Sequence, residues 1–185
     1  MSQRGVKGMV DVIILNGGSS SGKTTIAKCL QNLLPTSWLR FSIDDLIDAM
    51  PDAMLKADSG IKFGDDGSVS PGTEFRKLES AWMNGIGEMA RRGAQVIIDD
   101  VFISGVDACN RWGAALEGLQ VLWVGVFCDP IVASTRESAR GDRVAGMAVS
   151  QATAVHIDIH YNIKVDTTKT SPEECAQIIG QRINL

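Results

Sequence analysis

The chain has 185 residues, of which 44% are hydrophobic and 22% are charged, and its formal net charge is −4. This length suits one domain, spanning residues 1–185, with a sizeable hydrophobic core. The acidic balance excludes a general attraction to nucleic acid or to an anionic membrane, and the longest apolar runs are too short to cross a bilayer. We therefore expect a globular protein of the cytoplasm, and a homo-oligomer is compatible with these features.

Apolar runs alternate with segments of helical periodicity along the chain. Runs that predict buried strands cover residues 10–16, 38–43, 94–99, 119–128 and 163–166. Apolar residues at helical spacing predict helices after the first two runs, from Phe75 to Met89, from Pro130 to about Arg140, and from Ser171 to Ile183. The first run is short and leads into a glycine-rich loop, so we interpret it as a strand and not as a signal peptide. This alternation is typical of an α/β fold of three layers with a central parallel sheet.

Residues 51–71 interrupt this alternation. The stretch PDAMLKADSGIKFGDDGSVSP is rich in turn-forming residues, yet its segments IKF and SVS alternate in polarity around GDDG. This pattern predicts a small β-hairpin that stands off the sheet. Ligands of such folds bind beyond the carboxyl ends of the strands, so the hairpin could wall a pocket there. Met54, Phe63 and Val69 are the candidate wall residues.

A phosphate-binding loop follows the first strand. The motif G-x-x-x-x-G-K-[ST] is formed by Gly17, Gly18, Ser19, Ser20, Ser21, Gly22, Lys23 and Thr24, and Thr25 comes next. The glycines let successive backbone N–H groups point at phosphate oxygens, and the helix that begins near Lys23 adds its positive N-terminal end. We expect Lys23 to reach the β- and γ-phosphates and the Thr24 hydroxyl to bind Mg²⁺. A motif placed between a strand and a helix predicts the binding of a nucleoside triphosphate.

Several classes of protein use such a loop, and the rest of the chain separates them. A GTPase would carry an N-K-x-D guanine motif, which the nearest segment, NIKVD at 162–166, does not match. A motor ATPase normally needs a larger chain. A small kinase that uses ATP and Mg²⁺ fits a chain of 185 residues best, so we expect a P-loop kinase fold.

Aspartate pairs end the second and third predicted strands. Asp44 and Asp45 follow the second strand on the γ-phosphate side of the site, where we expect Asp44 to contact the acceptor hydroxyl and Asp45 to cap the next helix. Asp99 and Asp100 end the third strand, where an acidic residue usually holds Mg²⁺. We favour Asp99 for the metal; a pair of solvated loop acids is the alternative.

The segment STRESARGDR carries Arg136, Arg140 and Arg143. Guanidinium groups neutralise charge on phosphate oxygens during transfer. Arg136 is thus a candidate for binding the nucleotide, and Arg140 and Arg143 are candidates for the transferring phosphate. Flanking glycines predict a mobile lid over residues 136–147. The alternative is a solvated basic helix face paired with Glu137 and Asp142.

The cysteines and histidines do not predict a metal site. The four cysteines are widely scattered and form no CxxC pair, so buried thiols are favoured over zinc or a disulfide framework. His156 and His160 are four residues apart, but no third ligand accompanies them. Surface or packing roles are the better interpretation of these two histidines.

Seven segments in order carry a family resemblance. They read ILNGGSSSGK, DDLIDAMP, EFRKLESAW, IIDDVF, VLWVGVFCD, ARGDRVAGMA and KVDTT, and they span nearly the whole chain. Together they resemble the chloramphenicol 3-O-phosphotransferase family of small, antibiotic-inactivating kinases. The first segment is common to P-loop proteins, whereas the order of the others is specific. The resemblance implies ATP-dependent transfer of a phosphoryl group to the primary hydroxyl of chloramphenicol.

The resemblance also implies residue roles. The family's aspartate after the second strand, implicated as the base for the drug's hydroxyl, corresponds to Asp44. The family's lid corresponds to ARGDR, which carries Arg140 and Arg143. By similarity to related small kinases, the loop after KVDTT would lie near the adenine.

The acceptor is less determined than the chemistry. Residues 52–70, which would contact it, are less like the family. One alternative is a metabolic kinase for another small alcohol or a sugar acid, and another is a non-kinase module that uses ATP for binding. Residues 51–75 offer few cations, Lys56 and Lys62, which favours a more neutral and partly apolar acceptor.

Overall fold

The computed structural model describes residues 9–55, 57–64, 68–140 and 146–183. Its strands are β1 (Val12–Asn16), β2 (Trp38–Ser42), β3 (Ile61–Phe63), β4 (Val69–Pro71), β5 (Gln95–Asp100), β6 (Val121–Phe127) and β7 (Ile163–Asp166). Its helices are α1 (Lys23–Leu33), α2 (Ile43–Asp48), α3 (Thr73–Arg91), α4 (Val106–Ala115), α5 (Pro130–Arg140), α6 (Met147–Ala154) and α7 (Pro172–Ile183), with a 3₁₀ turn at Asp52–Leu55. The predicted strands are confirmed with small shifts at their ends; the run at 119–128, for example, forms a strand from Val121 to Phe127.

Five of these strands form one parallel sheet in the order β2-β5-β1-β6-β7. The predicted α/β fold with a central parallel sheet is therefore confirmed. Strand β1 lies between β5 and β6, and its last residue, Asn16, pairs with Asp100 on one side and Gly125 on the other. The chain runs from β1 to β2 on one side of the sheet and from β5 to β6 on the other, so the direction of the connections reverses here and a crevice opens at the carboxyl end of β1. The glycine-rich loop follows at this point.

Alternate residues of β1 face two different layers of helices. Ile13 and Leu15 pack in a cluster with side chains of α1 and α7, whereas Val12 and Ile14 pack with side chains of α3 and α4. All four side chains are fully buried. Burying one such side chain contributes about 1.5–3 kcal/mol relative to leaving it exposed. The strand that carries the loop is therefore anchored on both faces.

The predicted hairpin is confirmed, because β3 and β4 pair antiparallel in a small sheet of their own. Its buried residue Ile61 packs with Leu46 of α2 and Phe75 of α3. A Cβ atom at Gly60 would lie 1.6 Å from the carbonyl oxygen of Met54, so only glycine fits at this approach. The hairpin is thus held beside the site by the two helices that follow β2 and β4.

Helices α4 and α6 were not predicted from the sequence. Helix α4 buries Trp112, whose ring makes an edge contact with Trp82 of α3 at a centroid distance of 5.6 Å. Helix α6 begins after Gly146, which has a φ of 91°. Within the ranges that the structure describes, no helix is both long and apolar enough to cross a membrane.

Candidate active site

The phosphate-binding loop is shaped by close packing and by left-handed backbone. A Cβ atom at Gly17 would lie 2.4 Å from the Val126 carbonyl oxygen, so the loop approaches β6 too closely for any other residue. Gly22, which caps α1, has a φ of 92°. Ser20 also has a positive φ, 57°, a conformation that costs about 1–3 kcal/mol and is concentrated at functional sites. The loop therefore combines a nest-like backbone with a helix N-terminus, as anion binding requires.

Lys23, Thr24 and Asp99 meet at the end of this loop. Lys23 is 6% exposed, its Nζ donates to the carbonyl oxygen of Gly18 at 2.9 Å, and it lies 3.9 Å from Asp99 Oδ1. The Thr24 hydroxyl donates to Asp99 Oδ2 at 2.6 Å. The structure thus brings together the lysine expected to bind phosphate and the two residues expected to bind the metal.

Thr24 and Asp99 fit a magnesium ion. Mg²⁺ prefers oxygen ligands and is usually bound by one or two protein groups together with phosphates and water. The hydroxyl and the carboxylate supply two such oxygens within 2.6 Å of each other. In the described part of the chain, no three His, Cys, Asp or Glu side chains converge on a common metal position. The residues there suit an ion that is shared with a nucleotide.

Asp100, the neighbour of Asp99, is engaged with the protein interior. Its Oδ2 accepts a hydrogen bond from Trp112 Nε1 at 2.6 Å, and its Oδ1 accepts one from the Val101 N–H at 2.6 Å. Burial raises the pKa of Asp100, although these hydrogen bonds act in the opposite direction. Both oxygens of Asp100 are occupied, which supports Asp99 as the residue on the metal side.

Asp44 and Asp45 have different environments at the start of α2. Asp45 Oδ2 accepts the Ser42 N–H at 2.7 Å, and Ser42 caps the helix, so Asp45 completes a capping box. Asp45 is exposed, whereas Asp44 is half-buried and lines a cavity together with Lys23. The two roles expected from the sequence, one aspartate for the site and one for the cap, are compatible with this arrangement.

Arg136 of α5 lies against the far side of the phosphate-binding loop. Its guanidinium donates to the Thr167 carbonyl oxygen at 2.8 Å and to the Thr167 hydroxyl at 3.1 Å. The Thr167 hydroxyl in turn donates to the carbonyl oxygen of Ser21 at 2.7 Å. Arg136 also lines the cavity. This places it beside the loop expected to hold the nucleotide.

The lid prediction is tested only at its two ends. Arg140 is the last residue of α5, but its side chain, like the whole of Arg143, lies outside the described residues. The expected roles of both arginines remain predictions. At the other end, Met147 begins α6 and lines the cavity.

Two residues around the lid were missed by the sequence analysis. Glu137 was considered only as a partner of the basic helix face; instead its carboxylate accepts the N–H groups of Gly146 at 2.9 Å and Ala148 at 2.8 Å, and so ties α5 to the start of α6. Gln151 of α6 accepts the N–H of Ser19 at 2.9 Å. No local sequence pattern could have indicated these contacts, because they join distant segments.

One cavity of about 350 Å³ contains most of the predicted site residues. From the loop it is lined by Ser19, Ser20, Gly22, Lys23, Thr24 and Thr25. Gly17, Gly18 and Ser21 are buried and are not among its lining residues. Of the expected wall residues, Phe63 and Val69 line it. Met54 does not; it packs in the cluster beneath the hairpin instead, so that prediction is wrong.

The cavity also contains a polar group of residues that the sequence analysis missed. Arg76 and Glu79 of α3, Ser104, and Arg111 of α4 all line it. The spacing of Arg76 and Glu79 suggests an ion pair on a helix. Nothing in the sequence, however, indicates that Arg111 joins them, because α4 itself was not predicted.

Comparisons with known proteins identify relatives of this chain. The model of a family described as chloramphenicol phosphotransferase-like protein matches residues 10–184. Two strains of Mycobacterium tuberculosis have a protein, named as a putative O-phosphotransferase, that is 33% identical over 183 residues, covering 90% of this chain and 79% of the relative.

Solved structures show the same fold at low identity. A sugar kinase from Janibacter sp. HTCC2649 has a TM-score of 0.68 at 17% identity, covering 95% of each chain. A tunicamycin resistance protein from Deinococcus radiodurans has a TM-score of 0.66 at 19% identity, covering 95% of this chain and 96% of the other. A shikimate kinase from Acinetobacter baumannii, in complex with shikimate, has a TM-score of 0.59 at 14% identity, covering 94% and 93%. These likenesses establish the P-loop kinase fold.

Proposed function

From the premise that the chain belongs to the chloramphenicol phosphotransferase-like family, we propose that it transfers the γ-phosphoryl group of ATP to a hydroxyl of a small molecule. In this proposal Asp44 is the general base. That it is a P-loop phosphotransferase of small molecules follows from the family and the fold. The main support for transfer to a hydroxyl with Asp44 as the base is that one cavity is lined by Lys23, Thr24, Asp99 and Asp44. The residues that we propose for the phosphate, the metal and the acceptor thus share one cavity.

The transfer exchanges one bond for another at the γ-phosphorus. The acceptor oxygen forms a bond to this phosphorus, the bond between the phosphorus and the β,γ-bridging oxygen breaks, and ADP leaves with the electron pair of the broken bond. The hydroxyl proton passes to a carboxylate oxygen of Asp44. Lys23 neutralises oxygens of the β- and γ-phosphates, and in the proposal Arg140 and Arg143 do the same for the group in transfer. Mg²⁺, which Thr24 and Asp99 would hold, supplies further positive charge.

The primary hydroxyl of chloramphenicol is the acceptor that we propose first. The family description names this drug, and the Mycobacterium tuberculosis relatives are named for transfer to oxygen. The cavity wall formed by Phe63, Val69 and Pro71 of the hairpin is apolar, which suits an acceptor with an apolar body.

A small hydroxy acid is the second candidate acceptor. Arg76 and Arg111 line the cavity, so the acceptor region is richer in cations than residues 51–75 alone indicate. A cationic wall favours an anionic acceptor. This candidate rests on the arginines, since the sugar kinase and shikimate kinase resemble this chain in fold alone.

Transfer of labelled γ-phosphate from ATP tests the proposal. The acceptors are chloramphenicol, its analogue with hydrogen in place of the primary hydroxyl, and a panel of hydroxy acids, sugars and nucleosides. We expect label on an acceptor that has the hydroxyl and none on the analogue that lacks it. Release of labelled phosphate that does not depend on any added acceptor would instead identify a module that only hydrolyses ATP.

A further inference from the structure

Two arginines from different helices extend into the catalytic cavity without belonging to the loop or the lid. Arg76 lies on α3 and Arg111 on α4, and both line the cavity that contains Asp44 and Lys23. Their side chains are 31% and 28% exposed. We refer to Arg76, Glu79, Ser104 and Arg111 as the arginine cluster.

The arginine cluster is held in place by shared contacts. Arg76 Nη1 donates to both carboxylate oxygens of Glu79, at 2.9 and 2.8 Å, while Arg111 Nε lies 3.1 Å from Glu79 Oε2. The Ser104 hydroxyl oxygen accepts Arg76 Nη2 at 2.8 Å and Arg111 Nη2 at 3.1 Å. The two guanidinium groups are therefore fixed relative to each other by one carboxylate and one hydroxyl.

The arginine cluster has more positive charge and more donors than its own members use. Two guanidinium groups face one carboxylate, that of Glu79, which is 5% exposed. A guanidinium carries five N–H groups, and among the described residues Arg111 makes one hydrogen bond, to Ser104. Its Nε is buried and, in the same part of the chain, has no acceptor in hydrogen-bonding geometry. This Nε is out of reach of a ligand, but the terminal nitrogens of the two guanidinium groups have further N–H groups that the acceptor oxygens of a ligand would use.

Two further carboxyl groups that line the cavity, those of Asp99 and Asp100, are engaged with other partners. Asp100 lines the same cavity, but its two oxygens are occupied by Trp112 Nε1 and the Val101 N–H. Asp99, at the preceding position, is in contact with Thr24 and Lys23 at the phosphate-binding loop. Among the described residues, neither of these two carboxyl groups forms an ion pair with Arg76 or Arg111.

The remaining wall is apolar and partly open. Phe63 of the hairpin and Ile103, the neighbour of Ser104, both line the cavity and are 41% and 44% exposed. Exposed apolar side chains beside a cationic group suit a ligand that has an apolar body and a polar end.

We propose that Arg76 and Arg111 bind a planar pair of oxygens on the acceptor, carried by a carboxylate or by a nitro group, away from the hydroxyl that receives the phosphate. This inference rests on the proposed function and specifies its acceptor class: a hydroxyl, an apolar body and a planar pair of oxygens. The guanidinium is a planar fork that matches such a pair with two parallel N–H···O contacts. Chloramphenicol, with its nitrophenyl group, and an aromatic hydroxy acid both have this composition.

Binding of three acceptors that differ at one position tests this directly. They are chloramphenicol, its analogue with a carboxylate in place of the nitro group, and its analogue with hydrogen there. Titration calorimetry gives a Kd for each with the wild-type protein, with Arg111→Gln and with Arg76→Gln. A charge-assisted pair of hydrogen bonds predicts that the wild-type protein binds the nitro compound, the carboxylate compound or both about 10-fold or more tightly than the hydrogen compound.

The variants distinguish recognition from a purely structural role. We expect Arg111→Gln to remove most of the preference for the nitro or carboxylate compound over the hydrogen compound, while the Kd of the hydrogen compound stays within about 2-fold of the wild-type value. Arg111→Lys keeps the charge but not the planar fork, so it should retain part of the preference for the carboxylate compound. Arg92→Gln is the control, because Arg92, which directly follows α3, is exposed and paired with the exposed Glu88. A merely structural ion pair would instead lower the Tm and weaken all three ligands alike.

The outcomes separate this inference from the proposed function. A preference for the carboxylate compound alone identifies an acid acceptor, and a preference for the nitro compound alone identifies a nitroarene; either supports the inference. The inference would be overturned if the wild-type protein bound all three compounds with equal affinity or bound none of them measurably. It would also be overturned if Arg111→Gln lost the same factor of affinity for each compound. Selective binding without phosphoryl transfer would contradict the proposed function and leave the role of the arginine cluster intact.

Discussion

The Thr24 hydroxyl donates a hydrogen bond to Asp99 Oδ2 over 2.6 Å, and this contact joins the first turn of α1 to the carboxyl end of β5. Asp99 is fixed there by the sheet, since it pairs in register with Leu15 of β1 and Ser42 of β2. The fold therefore holds the two proposed oxygen ligands close together, which would lower the cost of ordering a metal site there.

We predict that Thr24→Ala and Asp99→Asn each impair the use of Mg²⁺. Each removes or weakens one oxygen ligand, so the Mg²⁺ concentration for half-maximal transfer should rise by roughly 10–100-fold. The measurement is the rate of transfer against Mg²⁺ concentration at saturating ATP. Thr153→Ala, on the exposed side of α6, is the control. If the Mg²⁺ dependence of both site variants were unchanged, Thr24 and Asp99 would not be metal ligands.

Lys23→Ala should lower kcat by about 10²–10³-fold or more, the range for loss of one positioned electrostatic group. The fold should survive, because alanine is well accepted in the first turn of a helix. Turnover and the Tm are measured together. Lys28→Ala, an exposed lysine of the same helix, should leave both nearly unchanged. A folded Lys23→Ala protein with normal turnover would contradict the assignment of the loop.

The sequence was sufficient for the sheet and the loop because both depend on local patterns. The apolar run of β1 and the motif after it are contiguous, so periodicity and spacing identify them. The arginine cluster could not be predicted in this way, since Arg111 meets Glu79 only after α3 and α4 have packed together. Helix α4 has an apolar stripe in which Ala108, Trp112 and Ala115 are buried, but its small residues make the pattern weak in the sequence, and the helix was not predicted.

Gly17→Ala should destabilise the protein by about 1–3 kcal/mol. The new Cβ atom would lie 2.4 Å from the Val126 carbonyl oxygen, so the loop or β6 must shift. Gly85→Ala is the matched control, because nothing lies within 4 Å of a Cβ at this exposed position in α3. That change should stabilise the protein by about 0.5–1 kcal/mol. Denaturant unfolding measures the change in the free energy of unfolding for each variant, which should be a decrease in Gly17→Ala and an increase in Gly85→Ala. An unchanged stability of Gly17→Ala would show that the loop can relax.

His156 should make the protein less stable as the pH falls from about 6.5 towards 4. Burial, with a smaller contribution from the charge of Lys23, lowers its pKa from 6.5 to about 4. Its ring stacks on Phe127 at 3.9 Å, and its Nδ1 lies 2.8 Å from the Tyr161 hydroxyl. Between these two pH values the unfolded chain binds the proton and the folded chain does not. The free energy of unfolding therefore decreases as the pH is lowered from about 6.5 to about 4, and above about 6.5 this histidine causes no change with pH.

The comparison of variants isolates this histidine from other titrating groups. Urea unfolding at pH 7.5 and pH 5 is measured for the wild-type protein, for His156→Phe and for His160→Gln, the last a change of an exposed side chain. The loss of stability between the two pH values should be smaller in His156→Phe than in the other two proteins. An equal loss in all three would mean that His156 is protonated as readily in the folded state as in the unfolded one.

Asp44→Asn is the most direct test of the chemistry. Asparagine keeps the size of the side chain but cannot take the hydroxyl proton, and loss of a general base costs roughly 10²–10⁴-fold. Phosphoryl transfer often has a loose transition state that needs little early deprotonation, so we expect the lower half of that range. The decrease should appear in kcat, whereas the Kd of ATP should change little because Asp44 has no role in nucleotide binding in the proposal.

Asp45→Asn separates the base from the helix cap. Asp45 accepts the Ser42 N–H through Oδ2 at 2.7 Å, and the carbonyl oxygen of asparagine can accept the same hydrogen bond. Asp45→Asn should therefore keep near-normal turnover, while Asp45→Ala should lose about 0.5–2 kcal/mol of stability, the usual cost of removing a capping side chain. If Asp45→Asn were crippled and Asp44→Asn active, the base would be the neighbouring residue. If both variants were active, the proton acceptor would have to come from elsewhere in the cavity, and Asp100 would be tested next, although its two oxygens are engaged by Trp112 and Val101.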